Sequence, residues 1–245
     1  MSNNSDIQIT WLGHSTFYIV SPGGKTILID PWLKDNPKTP AEYKDGFDNL
    51  DYCLITHGHS DHFGDAVSVS KKNQPVTVAN FEIIGYLQKK GLKNGVPVNK
   101  GGTVLLDGSD GIEVTAVHAD HTSSIQEGDD LIYAGEPMGF VIKFENGYTI
   151  YNTGDTAVFG DMKIISEIYQ PDLLMIPIGD HFTMGPKEAA YAIKLVDSSK
   201  VLPMHYGTFP MLTGTPEKLR SLLVSRNTEV LSPEVGQTIT ISATK

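Results

Sequence analysis

The chain has 245 residues, of which 40% are hydrophobic and 20% charged, with a formal charge of −10. This composition suits a folded globular protein rather than a disordered one, and the acidic balance opposes the basic surface that nucleic-acid binding requires. No apolar run approaches the roughly 20 residues of a bilayer span, so no membrane partner is expected. The length predicts a single domain over residues 1–245. The opening Met1-Ser2-Asn3-Asn4-Ser5-Asp6 has no basic start and no apolar stretch, so no secretory signal is expected. The lone Cys53 cannot form an internal disulfide, and together these features predict a cytoplasmic protein. Only Arg220 and Arg226 among the 19 basic residues are arginines, which leaves few guanidinium clamps for an anionic substrate.

Apolar runs predict strands at 7–12, 16–20 and 26–30, with Gly13-His14-Ser15 and Pro22-Gly23-Gly24 as the intervening turns. A fourth apolar run, 52–56, ends in a histidine-rich turn. A short helix is expected at 66–72, a strand at 76–79, and a helix at 81–90 with Ile83, Ile84 and Leu87 on one face and Gly91 as its stop. The middle of the chain is strand-dominated, at 103–106, 112–117, 139–144 and 148–151, with Glu145-Asn146-Gly147 as a hairpin turn. Alternation then returns: helix 162–169, strand 173–176, helix 186–196 opened by Pro186, strand 201–204, and a last helix opened by Thr215-Pro216-Glu217. Strands flanked by helices at both ends of the chain predict an α/β protein: two sheets face to face with helices outside, an αββα sandwich.

The strand at 52–56 delivers His57-Gly58-His59-Ser60-Asp61-His62, four potential metal ligands within six residues. Imidazole and carboxylate without thiolate suit zinc, and also manganese, iron or nickel.

His57-x-His59-x-Asp61-His62 directly after a strand resembles the signature of the metallo-β-lactamase fold superfamily of binuclear hydrolases, whose fold is the αββα sandwich of two mixed sheets. His121 after strand 112–117, Asp155 in Asn152-Thr153-Gly154-Asp155-Thr156 and His205 in Met204-His205-Tyr206 match its remaining ligand positions, so the resemblance spans essentially the whole chain. Gly13-His14-Ser15, Leu28-Ile29-Asp30-Pro31, the stretch 179–186 and the stretch 204–210 are similar, more specifically, to a subfamily of small single-domain metal-dependent hydrolases. Most of that subfamily has no assigned substrate, and it is distantly related to an ascorbate-6-phosphate lactonase.

The resemblance implies that His57, His59 and His121 hold one of two divalent metal ions and that Asp61, His62 and His205 hold the other, with Asp155 bridging. Zinc is the expected metal; manganese, nickel and iron are the alternatives. Two divalent cations outweigh the charges of Asp61 and Asp155, which favours a bridging hydroxide as nucleophile and gives both carboxylates a catalytic place. His118 competes with His121, which is preferred because it precedes the small polar run Thr122-Ser123-Ser124. His14 either faces the substrate or makes a structural hydrogen bond. His181 is a candidate substrate-facing group near the expected cleft, and Asp30 is expected to brace the metal-loop backbone. Trp32, Phe182, Met184, Tyr206 and Phe209 line a pocket or belong to the core, and Cys53 reads as a small buried hydrophobe.

These residues point to hydrolysis of a small-molecule ester, lactone, amide or phosphoester. Sugar-phosphate lactonase activity is the alternative within that class; the shortage of arginine weighs against it, although Lys34, Lys38 or Lys187 could meet a phosphate. A nuclease is opposed by the acidic charge, and a flavodi-iron protein by His59 standing where that branch carries glutamate. A mononuclear iron dioxygenase and a non-catalytic metal-binding protein are the readings from other classes. Assembly into a homo-oligomer is left open.

Overall fold

The structure, a computed structural model, describes residues 6–224 and 226–242. The opening segment 1–5, on which the expectation of no secretory signal rests, lies outside the described residues. The first half of the chain forms β1 (Asp6–Trp11), β2 (Phe17–Val20), β3 (Thr26–Ile29), β4 (Tyr52–Leu54), α1 (Ser60–Phe63), α2 (Ala66–Asn73), β5 (Val76–Ala79), α3 (Phe81–Lys89) and β6 (Gly95–Pro97). The second half begins with β7 (Thr103–Leu105), β8 (Glu113–His118), β9 (Ser124–Glu127), β10 (Asp130–Tyr133), β11 (Met138–Lys143) and β12 (Thr149–Asn152). It ends with α4 (Met162–Tyr169), β13 (Leu173–Pro177), α5 (Pro186–Val196), β14 (Lys200–Met204), α6 (Pro216–Leu222), β15 (Glu229–Val230) and β16 (Thr238–Ser242).

Two seven-stranded mixed sheets result, ordered β16-β1-β2-β3-β4-β5-β6 and β15-β14-β13-β12-β11-β8-β7. Side chains alternate across a strand, so one run of apolar residues serves two layers. Ile27 and Ile29 of β3 and Tyr52 and Leu54 of β4 enter the core between the sheets, where they meet Phe140 and Ile142 of β11 and Met175 of β13. Leu28 and Cys53 face the other way, against Ala66 and Val69 of α2 and Ile83, Ile84 and Leu87 of α3. On the second sheet Val141, Leu174 and Ile176 likewise pack against α4, α5 and α6. Three apolar layers between four layers of structure make the expected αββα sandwich. Among the described residues no helix is long and apolar enough to cross a membrane.

Several elements differ from expectation, each for a local reason. The histidine-rich turn continues as the four-residue helix α1, with His59 at its N-cap in an extended conformation. β9 and β10 form a separate two-stranded sheet joined by Gly128-Asp129, with Gly128 at φ 60, the left-handed conformation that tight hairpin turns demand. β16, not expected although Thr238-Ile239-Thr240-Ile241 alternates as a strand does, pairs antiparallel with β1 and lies at the edge of the first sheet.

Candidate active site

β3, β4, β12 and β14 run into turns at one end of the sandwich, and the histidines and aspartates singled out from the sequence lie there or in neighbouring loops. Four of these residues hold a left-handed backbone without being glycine: His14 at φ 57, Asp30 at φ 49, His181 at φ 65 and His205 at φ 55. Such strain persists only where surrounding contacts enforce it. Here one enforcing contact joins the two sheets directly, because the His205 N–H donates to the His14 carbonyl at 3.0 Å.

His57, His59 and His121 bring donor atoms within 4.8 Å of one another, as do His57, His62 and Asp155, and as do His14, Asp61, His62 and His205. His62 Nε2 and His205 Nε2 lie 3.1 and 2.9 Å from Asp155 Oδ2, and His121 Nε2 lies 3.8 Å from it. His205 Nε2 is also 3.7 Å from Asp61 Oδ2. Asp155 is thus the common neighbour of both sides. His118 is exposed at the end of β8, its ring edge-on to Phe159, and it stays outside the cluster that His121 joins.

Buried carboxylate beneath the cluster organises the imidazoles. Asp30 accepts from the Thr56 N–H through Oδ1, and through Oδ2 from the Thr56 hydroxyl and from His62 Nδ1 at 2.7 Å. Burial raises the Asp30 carboxyl above the ordinary carboxylate range, against the pull of His62 and Thr56. Held by Asp30 at Nδ1, His62 turns Nε2 towards Asp155; burial opposes its charge, but Asp155, Asp30 and Asp61 lift it well above the ordinary imidazole value, so a cation bound there would take the place of the Nε2 proton. Thr56 has spent its hydroxyl proton on Asp30, so at 3.0 Å it accepts from His57 Nδ1. His57, a neutral ring, is thereby left with a bare Nε2, 3.0 Å from His59 Nδ1. The expected brace between Asp30 and the loop backbone is present, and through Thr56 it extends to two imidazoles.

Electrostatics divide the cluster. Burial pushes His57, His59 and His121 below the ordinary imidazole value, so they present neutral rings. Burial would raise Asp61 and Asp155, but His62, His14 and His205 hold Asp61 far down, and His205 and His62 do the same for Asp155. Burial also opposes the charge on His205, yet Asp155 and Asp61 lift it to about 9. His14 is pushed down to about 4 by burial and by His205, against the pull of Asp61. Its neutral ring carries the proton on Nε2, donating to Asp61 Oδ2 at 2.9 Å, and accepts at Nδ1 from the Thr208 hydroxyl at 2.9 Å.

The donor set fits divalent cations. His62 Nε2, Asp155 Oδ1 and both ring nitrogens of His205 are buried without a hydrogen-bond partner. Unpaired buried polar atoms are costly, and their convergence beside two carboxylates is what a cation would satisfy.

A cavity of about 470 Å3 opens over the cluster, floored by His59, Asp61, His121, Asp155 and His205. Thr122, Ser124, Gln126 and Leu131 form one wall, and His181 with Phe182 the other. No described lysine or arginine lines it; Lys34 borders a separate hollow beside α2. Of the aromatic residues expected at a pocket, only Phe182 reaches this one. Trp32 and Phe209 pack around His14, Tyr206 stacks on Trp11, and Met184 is buried. Cys53 is buried, and burial raises its thiol well above the ordinary value. The β9–β10 wall escaped the sequence reading; Gly128-Asp129 is a two-residue hairpin signal, but the four-residue runs on either side carry little alternation.

Residues 8–205 match the model of the beta-lactamase superfamily domain. The chain is 55% identical over 212 residues to a UPF0173 metal-dependent hydrolase of Rubrobacter xylanophilus, covering 86% of each chain. It is 50% identical over 217 residues to another from Koribacter versatilis, covering 89% of this chain and 91% of that one. Among solved structures it is similar to Igni18, a metallo hydrolase of Ignicoccus hospitalis, with a TM-score of 0.84 and 34% identity, covering 96% of this chain and 98% of that one.

Proposed function

Because the chain belongs to the metallo-β-lactamase superfamily, as one of its metal-dependent hydrolases, we propose that it is a binuclear enzyme cleaving a small-molecule ester, lactone, amide or phosphoester. His57, His59 and His121 are assigned to one divalent ion, Asp61, His62 and His205 to the other, and Asp155 to both. The observation that carries this reading is the meeting of two donor groups at Asp155, beside buried donor atoms that have no hydrogen-bond partner. Zinc is the expected metal, since neutral imidazole and carboxylate without thiolate suit it.

Bound divalent cations supply Lewis acidity and a water activated at neutral pH. The chain's own work is to hold the donors and admit the substrate. Asp30 and Thr56 keep the Nε2 lone pairs of His57 and His62 turned inward. His14 holds Asp61 in one orientation. The polar wall formed by Thr122, Ser124 and Gln126 offers uncharged hydrogen-bonding groups to the substrate. A sugar phosphate is the less favoured substrate, because its charge would meet no lysine or arginine in the cavity.

Elemental analysis of protein prepared without added metal or chelator, beside an Asp155→Ala variant, tests the reading. Two equivalents of zinc, manganese or nickel, falling in the variant, are expected, with hydrolysis of at least one ester, lactone, amide or phosphoester lost in step. One equivalent of iron with oxygen uptake would assign the protein to iron oxygenases instead. A folded protein without metal would make it non-catalytic.

A further inference from the structure

The hairpin β9–β10 and the loop before α5 leave two large apolar side chains facing each other's walls of the cavity over the histidine cluster. Leu131 is 71% exposed and Phe182 52% exposed, although the fold has three apolar cores that could take them. Exposure by itself decides nothing, since Ile168 on α4 is 63% exposed and borders no cavity floored by metal-ligand types. Strand register is what directs Leu131. Ile125 and Ile132 pair across the hairpin and pack into the outer core, which turns Ser124, Gln126 and Leu131 to the opposite face, over the cavity.

The hairpin is held in that position at its base. Ser123 Oγ accepts from the Gly58 N–H, between His57 and His59, and donates to the Ala134 carbonyl. Asn80 Nδ2 donates to the same carbonyl at 2.7 Å. Leu131 therefore stands on a rigid wall rather than a loose loop. The remaining wall groups Thr122, Ser124 and Gln126 carry no charge, and no described lysine or arginine reaches the cavity. Apolar side chains beside a few polar groups favour a ligand with an apolar part and no charge of its own.

We infer that the substrate is an uncharged acyl derivative, an ester, lactone or amide, whose apolar chain lies between Leu131 and Phe182. This rests on the binuclear hydrolase reading and narrows it to acyl substrates, since the charge of a phosphoester would meet no group of the cavity walls and only the two ions. In the reaction the oxygen of water bonds to the acyl carbon and the C–O or C–N bond breaks. A proton passes to the departing oxygen or nitrogen, leaving a carboxylic acid and an alcohol or amine.

Calorimetric titration of the metal-loaded protein with acetohydroxamate, octanohydroxamate and octyl phosphate tests it. The hydroxamates share one metal-binding head and differ only in chain length, and burial of about two methylene groups is enough for a tenfold gain. Octanohydroxamate is expected to bind at least about tenfold more tightly than acetohydroxamate and more tightly than octyl phosphate. That chain-length preference should collapse in Leu131→Ser/Phe182→Ser, whose melting temperature stays unchanged because both side chains are exposed. Equal affinity for the two hydroxamates, a preference that survives the substitutions, or tighter binding of octyl phosphate would overturn the inference. Metal content is read on the same samples. Two ions without the chain-length preference sink the substrate class alone, whereas fewer than two ions sink the binuclear reading whatever the preference.

Discussion

His14 and Asp61, 47 positions apart in the chain, meet across a 2.9 Å hydrogen bond from the imidazole Nε2 to the carboxylate Oδ2. The ring is fully buried; the acceptor-only Asp61 carboxylate sets its tautomer, and the Thr208 hydroxyl lies 2.9 Å from Nδ1 on the far side. Its face lies 3.9 Å from the His205 ring. One histidine thus touches two of the four residues proposed for the second ion and does not line the cavity, which on that reading makes it a positioning residue rather than a substrate contact.

His14→Ala should therefore weaken retention of that ion by about 10–100-fold, the usual effect of removing a group that orients a ligand. The measure is competition against a chromogenic chelator. His14→Gln, which keeps an N–H donor at similar reach, should recover part of the loss. Equal retention in wild type and His14→Ala would show that Asp61 needs no such support.

Asp30→Asn should act on both halves of the cluster at once. The carboxylate accepts three hydrogen bonds in a fully buried site. An amide of the same shape can accept on only one side and turns an N–H2 group towards a donor on the other. A stability loss of about 1–3 kcal/mol is expected from the unsatisfied groups. His57 and His62 would also lose their enforced tautomers, so the affinity for both ions should fall. Urea unfolding of the metal-stripped and metal-loaded protein separates the two effects. A variant that loses stability only in the stripped form would contradict the tautomer argument.

What could be read in advance follows the physics of each signal. Most strands of the two sheets were legible because they are near-continuous apolar runs, whereas β6, β15 and β16 were not read; the His57 to His62 cluster was legible because its donors are neighbours in sequence. The roles of Thr56 and Thr208 were not legible. A threonine reveals nothing of its hydrogen-bond partners until Asp30, His57 and His14 are brought to it from other segments. β16 was hidden because its pairing with β1 lies at the opposite end of the chain. The cavity wall at Leu131 was missed because four-residue strands with one buried face carry too short an alternation to stand out from a loop.

Gly179→Ala should show how tightly the second sheet holds His205. A methyl group there would sit 2.0 Å from the His205 carbonyl oxygen, a backbone atom that cannot rotate away. The turn after β14 must move, and His205 moves with it. Loss of about 1–3 kcal/mol or more is expected, together with weakened retention of one ion. Gly85→Ala is the control. It lies inside α3 with nothing within 4 Å of the added atom, so it should stabilise by about 0.5–1 kcal/mol through helix propensity and leave metal content unchanged. Thermal denaturation with elemental analysis of both variants reads the comparison.

Cys53 gives a prediction independent of any metal. It sits in the middle of β4, fully covered by α2 and α3, and burial followed by the charge of Asp30 raises its thiol above the ordinary value of 9.0. The folded protein should therefore resist a thiol-specific disulfide reagent at pH 8 and react with one equivalent only after unfolding in urea. The same shift sets a sign for stability at high pH. Above about pH 9 the unfolded chain releases the thiol proton while the folded chain retains it, so the Cys53 contribution falls as pH rises. Cys53→Ala should remove that dependence while costing about 1 kcal/mol or more from the vacated volume. Equal slopes of stability against pH in wild type and Cys53→Ala between pH 9 and pH 10 would refute the assignment.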